Sequence, residues 1–413
     1  MKTKVCIQDF TIESFLAMWV LLWLNGGIYG FVQRYIPGIF MYAVAICWLV
    51  LVSNRKKNIS NLVSFVFKFL PAFSILAFLY LLNFSSLVKT YLYFMIYCAI
   101  LVCVLFFYYD EPKKKKILIG TWFFDTVIIC ANTLIQIAKN PLIIRQMSAN
   151  ASYLQEQGMT VKGVASFSHV LCYSLVCLYL ICLLLKKGRI KSRISVLLFV
   201  ILLELVILQS QIALIMLFNI LGTILIVVFP KVKRRAHLVM FFLIIALIFA
   251  VLAANAVDIL EYLGDLDFMP RLLKIKIDDV IVLISEGTQS KLQDVDVRLE
   301  QYKLGINAFV SNPLFGTMGD SSAIGGHATW IDFFGLFGIF SIVFIIWFFD
   351  LFKWVLRFSS KSDSGIIKVI SCLFVILGIL DPILTQVVFV FFIIVLPFYS
   401  QNSCHEVIQS ESV

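Results

Sequence analysis

Long stretches of this chain carry no charge, and each is close to the length that spans a lipid bilayer. A helix needs ~20 apolar residues, at a rise of about 1.5 Å each, to cross the hydrocarbon. Twelve runs meet that requirement in outline: 13–30, 36–53, 65–84, 91–109, 117–138, 165–185, 194–209, 212–229, 237–257, 331–352, 366–380 and 382–399. The stretch 194–229 is too long for one helix and has Gln209, Ser210 and Gln211 at its centre, which predicts two spans and a tight turn. With 61% hydrophobic and 14% charged residues, a water-soluble fold would hold more apolar surface than it could bury. The expectation is an all-α, polytopic integral membrane protein of about 12 transmembrane helices. The first run lacks a small-residue cleavage pattern and leads straight into the second, so it reads as a span rather than a removable leader.

The charges give these spans a direction. The formal net charge is +10, but Lys and Arg gather in short clusters between apolar runs: Arg55–Lys57, Lys113–Lys116, Lys186–Arg193, Lys231–Arg235 and Lys353–Lys361. Each cluster follows an even-numbered span, so all fall on one side. By the positive-inside rule that side is cytoplasmic and both termini lie on it. The basic residues therefore mark topology, and no nucleic-acid partner is expected. The organisation that follows is transmembrane helices 1–9 over 1–257 and an extracytoplasmic loop over 258–330. Helices 10–12 then occupy 331–400, and a polar cytoplasmic tail 401–413. The ten cysteines lie in spans or near the termini and none falls in 258–330, so they read as small core hydrophobes.

Two outer loops are long, 139–164 and 258–330, and the second exceeds a mere connection. Within it, 270–285 predicts a helix opened by Pro270 that lies on the membrane surface. Residues 297–310 predict another, with Leu299, Tyr302, Ile306 and Phe309 on one stripe and Asn312-Pro313 as its stop. Candidate chemistry gathers just beyond. His327 follows Gly325-Gly326 and precedes the tenth span, at the outer membrane surface. An imidazole titrates near neutrality and can take a proton from a sugar hydroxyl, and glycine lets backbone approach a ligand closely. A lone histidine in such a place more often holds a turn; its neighbours are what point to chemistry. His169, in ASFSHVLCY, reads as a packing histidine with no catalytic role. Asp125 and Glu204 are expensive in hydrocarbon and are expected to face the bundle interior. The acid pairs Asp265/Asp267 and Asp294/Asp296 read as solvated, Lys68 and Lys368 as reaching the cytoplasmic face, and Trp330 as an interfacial anchor.

Taken together, Arg298, Pro313-Leu-Phe-Gly316-x-x-Gly319, Gly325-Gly-His-Ala-Thr-Trp-Ile-Asp332 and Gly335-x-x-Gly338 resemble the O-antigen ligase/polymerase superfamily, most of all its capsular and exopolysaccharide polymerase branch. The motif covers about 40 residues, and span count, orientation and loop position extend the likeness along the chain. The resemblance implies a metal-independent, inverting glycosyltransferase of GT-C type, with no cofactor, acting outside the cytoplasmic membrane. Its partners would be undecaprenyl-pyrophosphate-linked glycans as donor and acceptor, membrane lipids, and flippase and chain-length regulator proteins. His327 matches the family's essential histidine, which would activate the acceptor hydroxyl. Arg298 matches the loop arginine that would bind the donor pyrophosphate, a role suited to a bidentate guanidinium. Gly316, Gly319, Gly325 and Gly326 stand where backbone would meet substrate. Asp332 is placed either to orient His327 or, as well suited, to cap and pack its helix.

Two departures from that pattern matter. Where the family carries a second arginine at the outer turn of a helix hairpin, this chain has Gln211, which can hydrogen-bond a phosphate but not neutralise it. Arg145 or Arg271 is the candidate to supply that charge. ASFSHVLCY also lacks the Pro-Asn that follows the family's corresponding histidine. A ligase passing the glycan to another acceptor remains open beside the polymerase. A transporter or flippase is disfavoured because the spans hold few charges and no repeat. A purely structural export partner would have no need of His327 or Arg298.

Overall fold

The computed structural model describes residues 11–53, 60–144, 162–185, 193–228, 293–326, 328–360 and 363–401, with single positions between 258 and 281. The chain is all-helical, with no strand among these residues. Among the described residues four helical segments are long and apolar enough to cross a membrane: Ser86–Tyr108, Pro112–Lys139, Phe167–Leu185 and Thr329–Arg357. Every apolar run that falls within the described residues is helical; the run 237–257 lies outside them.

The elements in order are α1 (Ile12–Asn25), α2 (Gly27–Val32), α3 (Gly38–Ser53), α4 (Ser60–Asn83), α5 (Ser86–Tyr108) and α6 (Pro112–Lys139). They continue with α7 (Phe167–Leu185), α8 (Arg193–Gln209), α9 (Ala213–Val228), α10 (Gln293–Ser311), α11 (Thr329–Phe337), α12 (Ser341–Arg357) and α13 (Ser364–Leu377). The last, α14, is the apolar helix Gln386–Gln401. Its turn Phe391–Val395 is π-helical, and Pro397 lies just beyond. That proline has no N–H for the Ile393 carbonyl, and widening the preceding turn is one way a helix absorbs the loss.

α7 sits at the centre, with almost every residue from His169 to Leu183 buried. α14 lies against it, and Phe389, Phe391 and Phe392 are fully enclosed. The outer helices turn large side chains outward instead: Ile46 on α3, Phe67 on α4 and Leu198 on α8 are all exposed. Such faces suit hydrocarbon as solvent. Cys98, Cys130, Cys172, Cys177 and Cys182 are buried among apolar neighbours, as small core side chains.

The first apolar run is two helices rather than one. Thr11 caps α1 by accepting from Ser14 N at 3.3 Å, and Gly26 ends it with φ of 83°. The freed backbone is taken up from across the bundle by Asp125 of α6. Its carboxylate accepts from Ile28 N at 2.6 Å and from Asn25 Nδ2 at 2.7 Å. Asp125 does face the interior, and here it serves as the acceptor that a broken helix needs in a dry environment. Glu204 does similar work nearby. It accepts from both sides of Asn219 Nδ2, at 2.8 and 2.7 Å, while Ser174 donates to Asn219 Oδ1 at 3.2 Å, tying α8, α9 and α7 together. The predicted turn between α8 and α9 is present, closed by Ser210 Oγ on Ile207 O at 2.7 Å. Lys68, itself exposed, has a partner in Asp350 of α12, at 3.4 Å.

Replacing Asp125 with alanine strands two buried donors, which should destabilise the protein by about 3 kcal/mol. Thermal unfolding of the purified chain in detergent should show a clearly lowered midpoint, with Asp125→Asn much closer to wild type.

Candidate functional site

α10 lies along α11 with Gly305 at the contact. A methyl group on Gly305 would come within 2.9 Å of Ile331 Cγ2, and one on Gly335 within 2.9 Å of Gly305 O. Tyr302 donates to Leu380 O at 2.8 Å, and Phe309 meets Phe334 edge-on at 5.4 Å. Ile306, expected on the inner stripe, is exposed. The close approach centres the contact on Gly305, and the next residue is turned about 100° away from it. Of the predicted surface helix 270–285, most residues lie outside those described; Lys274, Ile277, Asp278 and Ile281 are helical.

Asn312 and Pro313 end α10, as expected, and the chain then folds back on the kink between α11 and α12. Thr317 N donates to Gly335 O at 2.9 Å, Gly319 N to Leu336 O at 3.1 Å and Ile339 N to Pro313 O at 2.8 Å. The two Gly-x-x-Gly pairs of the motif are therefore partners. A Cβ on Gly316 would fall 2.3 Å from Gly335 O, and one on Gly338 2.5 Å from Leu314 O, with positive φ at both. Gly319 comes close to Val88, and Asn83 Nδ2 donates to the Met318 carbonyl, so α4 and α5 grip the same turn. Farther on, Asp320 accepts from Ser322 N at 2.9 Å, which holds its carboxyl below the usual carboxylate range.

His327 itself lies outside the described residues, but both its neighbours are described. Asp332 accepts from Gly326 N at 3.3 Å and from Ala328 N at 2.9 Å, one oxygen for each flank. Of the two roles open to Asp332, the structure shows the capping one. Gly325 lies on Gln301 of α10, where a Cβ would be 2.4 Å from the Gln301 Cβ. Gly326, with φ of 71°, has nothing among the described residues within 4 Å of where a Cβ would stand. Of the four glycines expected to meet substrate, Gly316, Gly319 and Gly325 are thus used for close contacts within the chain. Gly326 alone of them has no such contact among the described residues.

Arg298 belongs to α10, and its side chain lies outside the described part. Its backbone is one turn before Gln301, so its register is that of the helix face that meets Gly325. Gln301 was not singled out by sequence; its Oε1 is buried without a partner among the described residues. The i to i+3 spacing from Arg298 was the available signal. Gln211 sits apart, in the α8–α9 turn, buried, with φ of 55° and an amide oxygen that has no partner among the described residues. Arg145 and Arg271 lie outside the described residues.

Trp330 is tied to α13 and the turn after it. Its Nε1 donates to Val375 O at 2.7 Å, and Gly378 leaves room for its ring. His169 is fully engaged: Nδ1 faces Ser166 N at 3.2 Å and Ser166 Oγ at 2.8 Å, and Nε2 faces Asn25 O at 2.8 Å. An N–H cannot accept and a carbonyl cannot donate, so the proton is on Nε2. Both ring nitrogens of His169 therefore have partners within the chain.

The chain matches no protein-family model and no curated protein sequence. Hydrogen exchange should resolve the role of Asp332. In Asp332→Ala the amides of Gly326 and Ala328 should exchange markedly faster than in wild type. Gly316→Ala should sharply lower abundance in the membrane, by a strain of about 1–3 kcal/mol plus a backbone clash, whereas Gly326→Ala should retain most of it.

Proposed function

We propose that this protein is a polysaccharide polymerase that joins undecaprenyl-pyrophosphate-linked oligosaccharide repeat units outside the cytoplasmic membrane. In this reading twelve spans place both termini in the cytoplasm and the 258–330 loop outside, with the basic clusters as support. The chemistry is one inverting displacement. An acceptor sugar hydroxyl attacks the anomeric carbon of the donor, the bond from that carbon to the pyrophosphate oxygen breaks, and the hydroxyl proton passes to His327. The leaving lipid pyrophosphate gains negative charge, which the Arg298 guanidinium meets with charge-assisted hydrogen bonds.

The observation that carries this reading is the double hold of Asp332 on the flanks of His327. A general base works only when held within hydrogen-bond reach of its proton. Here the backbone at Gly326 and Ala328, on either side of His327, is tethered to one buried carboxylate. The α10 face that includes the Arg298 register borders the same glycine pair. The paired Gly-x-x-Gly segments brace the turn from behind. Neither a transporter nor a structural partner accounts for so firm a mount at a single histidine.

Complementation of a deletion strain of the producing organism tests it, with polymer length read on a gel and membrane abundance checked for each variant. Losing the general base should lower the polymerisation rate by roughly 10²–10⁴-fold, so His327→Ala should leave single lipid-linked repeats. Arg298→Ala should behave alike. Full-length polymer from His327→Ala would overturn the reading. Single repeats that reach the surface without joining their final acceptor would instead identify a ligase.

A further inference from the structure

Two cavities lie inside the bundle, of about 400 and 490 Å³. They share Gly26, Tyr93, Tyr97 and Gln386 in their walls, so they adjoin each other, and the pair is called the cleft. Such volumes suit a small-molecule or chain segment rather than solvent alone. The cleft opens at the end of the bundle that holds the 312–328 turn. Thr329, two residues after His327, accepts from Ile383 N at 2.9 Å, and the next residues, Leu384–Gln386, are wall. On the other wall Thr90 and Tyr93 flank Tyr91 along α5, and the Tyr91 ring meets Phe333 of α11 at 4.9 Å.

The lining has a definite chemistry. Among the described residues no Asp, Glu, Lys or Arg lines either part, and one cation stands at the edge, Lys89, whose Nζ lies 5.7 Å from the Tyr93 ring centroid. His169 is in the wall, held in one neutral tautomer by its two partners. What faces the space is a set of tyrosine rings with amide and hydroxyl groups between them. Tyr42 and Tyr97 stand nearly parallel with centroids 6.3 Å apart and joined hydroxyls, Trp23 meets Tyr97 edge-on, and Tyr93 is exposed. Gln33, Gln386, Ser166 and Ser168 supply polar contacts, and the buried Thr385 hydroxyl has no partner among the described residues. Lipid tails have no use for amides, and a phosphate would want a cation. Flat apolar ring faces interleaved with neutral donors and acceptors match the alternating C–H and hydroxyl faces of a sugar.

We infer that this cleft binds an uncharged saccharide segment, with Tyr93 as a stacking platform and Gln386 and Thr385 as hydrogen-bonding partners. The inference rests on the polymerase reading in taking that saccharide to be part of a lipid-linked repeat unit. The cleft then holds the sugars while their reacting end reaches the turn around His327.

Site-specific photocrosslinking tests it. Full-length protein with Tyr93→p-benzoylphenylalanine is irradiated in membranes supplied with lipid-linked oligosaccharide extracted from the deletion strain. The same change at the exposed α3 residue Ile46 is the control. A glycan-bearing adduct is expected at 93 and not at 46, suppressed by excess free oligosaccharide released from that extract by mild acid. Tyr93→Ala should raise the half-saturating concentration of lipid-linked repeat roughly tenfold at unchanged abundance, as expected for the loss of one ring contact. The absence of an adduct at 93, or suppression by undecaprenyl phosphate but not by free oligosaccharide, would overturn the inference. The failures are separable. If His327→Ala is inactive but no adduct forms, the cleft assignment alone falls. If His327→Ala still polymerises while the adduct persists, the catalytic reading falls and saccharide binding stands.

Discussion

In hydrocarbon a backbone amide or carbonyl that loses its helical partner finds no water to replace it, and each such loss costs several kcal/mol. A chain made almost wholly of apolar helices can therefore break one only where another group takes over the freed hydrogen bonds. The departures from regular helix in this protein follow that rule. The break at Gly26 is closed by Asp125, the α8–α9 turn by Ser210, and the α13–α14 break by the Thr329 hydroxyl. The kink between α11 and α12 is closed by the turn that follows α10, whose N–H groups and carbonyls pair with its own. Polar residues that look costly in the sequence are the fastenings of an otherwise featureless bundle.

The same rule shapes the candidate site. Irregular backbone is needed wherever a loop must present a side chain to substrate, and it survives beside the membrane only if it is tied down. The 312–328 turn is tied on three sides: to the α11–α12 kink, to α4 and α5 through Met318 and Gly319, and to Asp332 at its end. The ties hold the backbone at Gly326 and Ala328, and among the described residues nothing lies within 4 Å of where a Gly326 Cβ would stand. Beside it, the neutral aromatic cleft offers a second surface of different chemistry. A polar turn next to an uncharged, ring-lined channel is an arrangement suited to a long, weakly charged chain with one reacting end.

Much of the helical outline was legible because the bilayer imposes a length and excludes charge. Both rules act locally, so the α8–α9 turn at Gln209–Gln211 and the stop at Asn312-Pro313 could be placed from neighbouring residues alone. The break at Gly26 could not. A single glycine inside an apolar run is tolerated in many helices, and what divides α1 from α2 is Asp125, a hundred residues away. The face of α10 was misjudged at Ile306 for a related reason. Apolar periodicity assumes that large side chains make the contact, whereas here Gly305 and Gly335 let two backbones touch. Gln301 and Tyr93 are not legible in the sequence because what sets them apart is which groups they meet across the bundle, not their neighbours along the chain.

By itself, the sequence determined that the chain is helical, that it belongs in a membrane, and which short segment combines glycine, arginine and histidine. Hydrophobic length, charge exclusion and turn chemistry are properties of adjacent residues and need no fold to be read. Only the tertiary structure decided that the two Gly-x-x-Gly pairs are each other's partners, that Asp332 holds the backbone around His327, and that His169 is fully engaged. It alone brought Tyr93, Tyr97 and Gln386 around one space. Those are statements about which groups meet across the bundle, and such meetings depend on how closely helices approach and where they break.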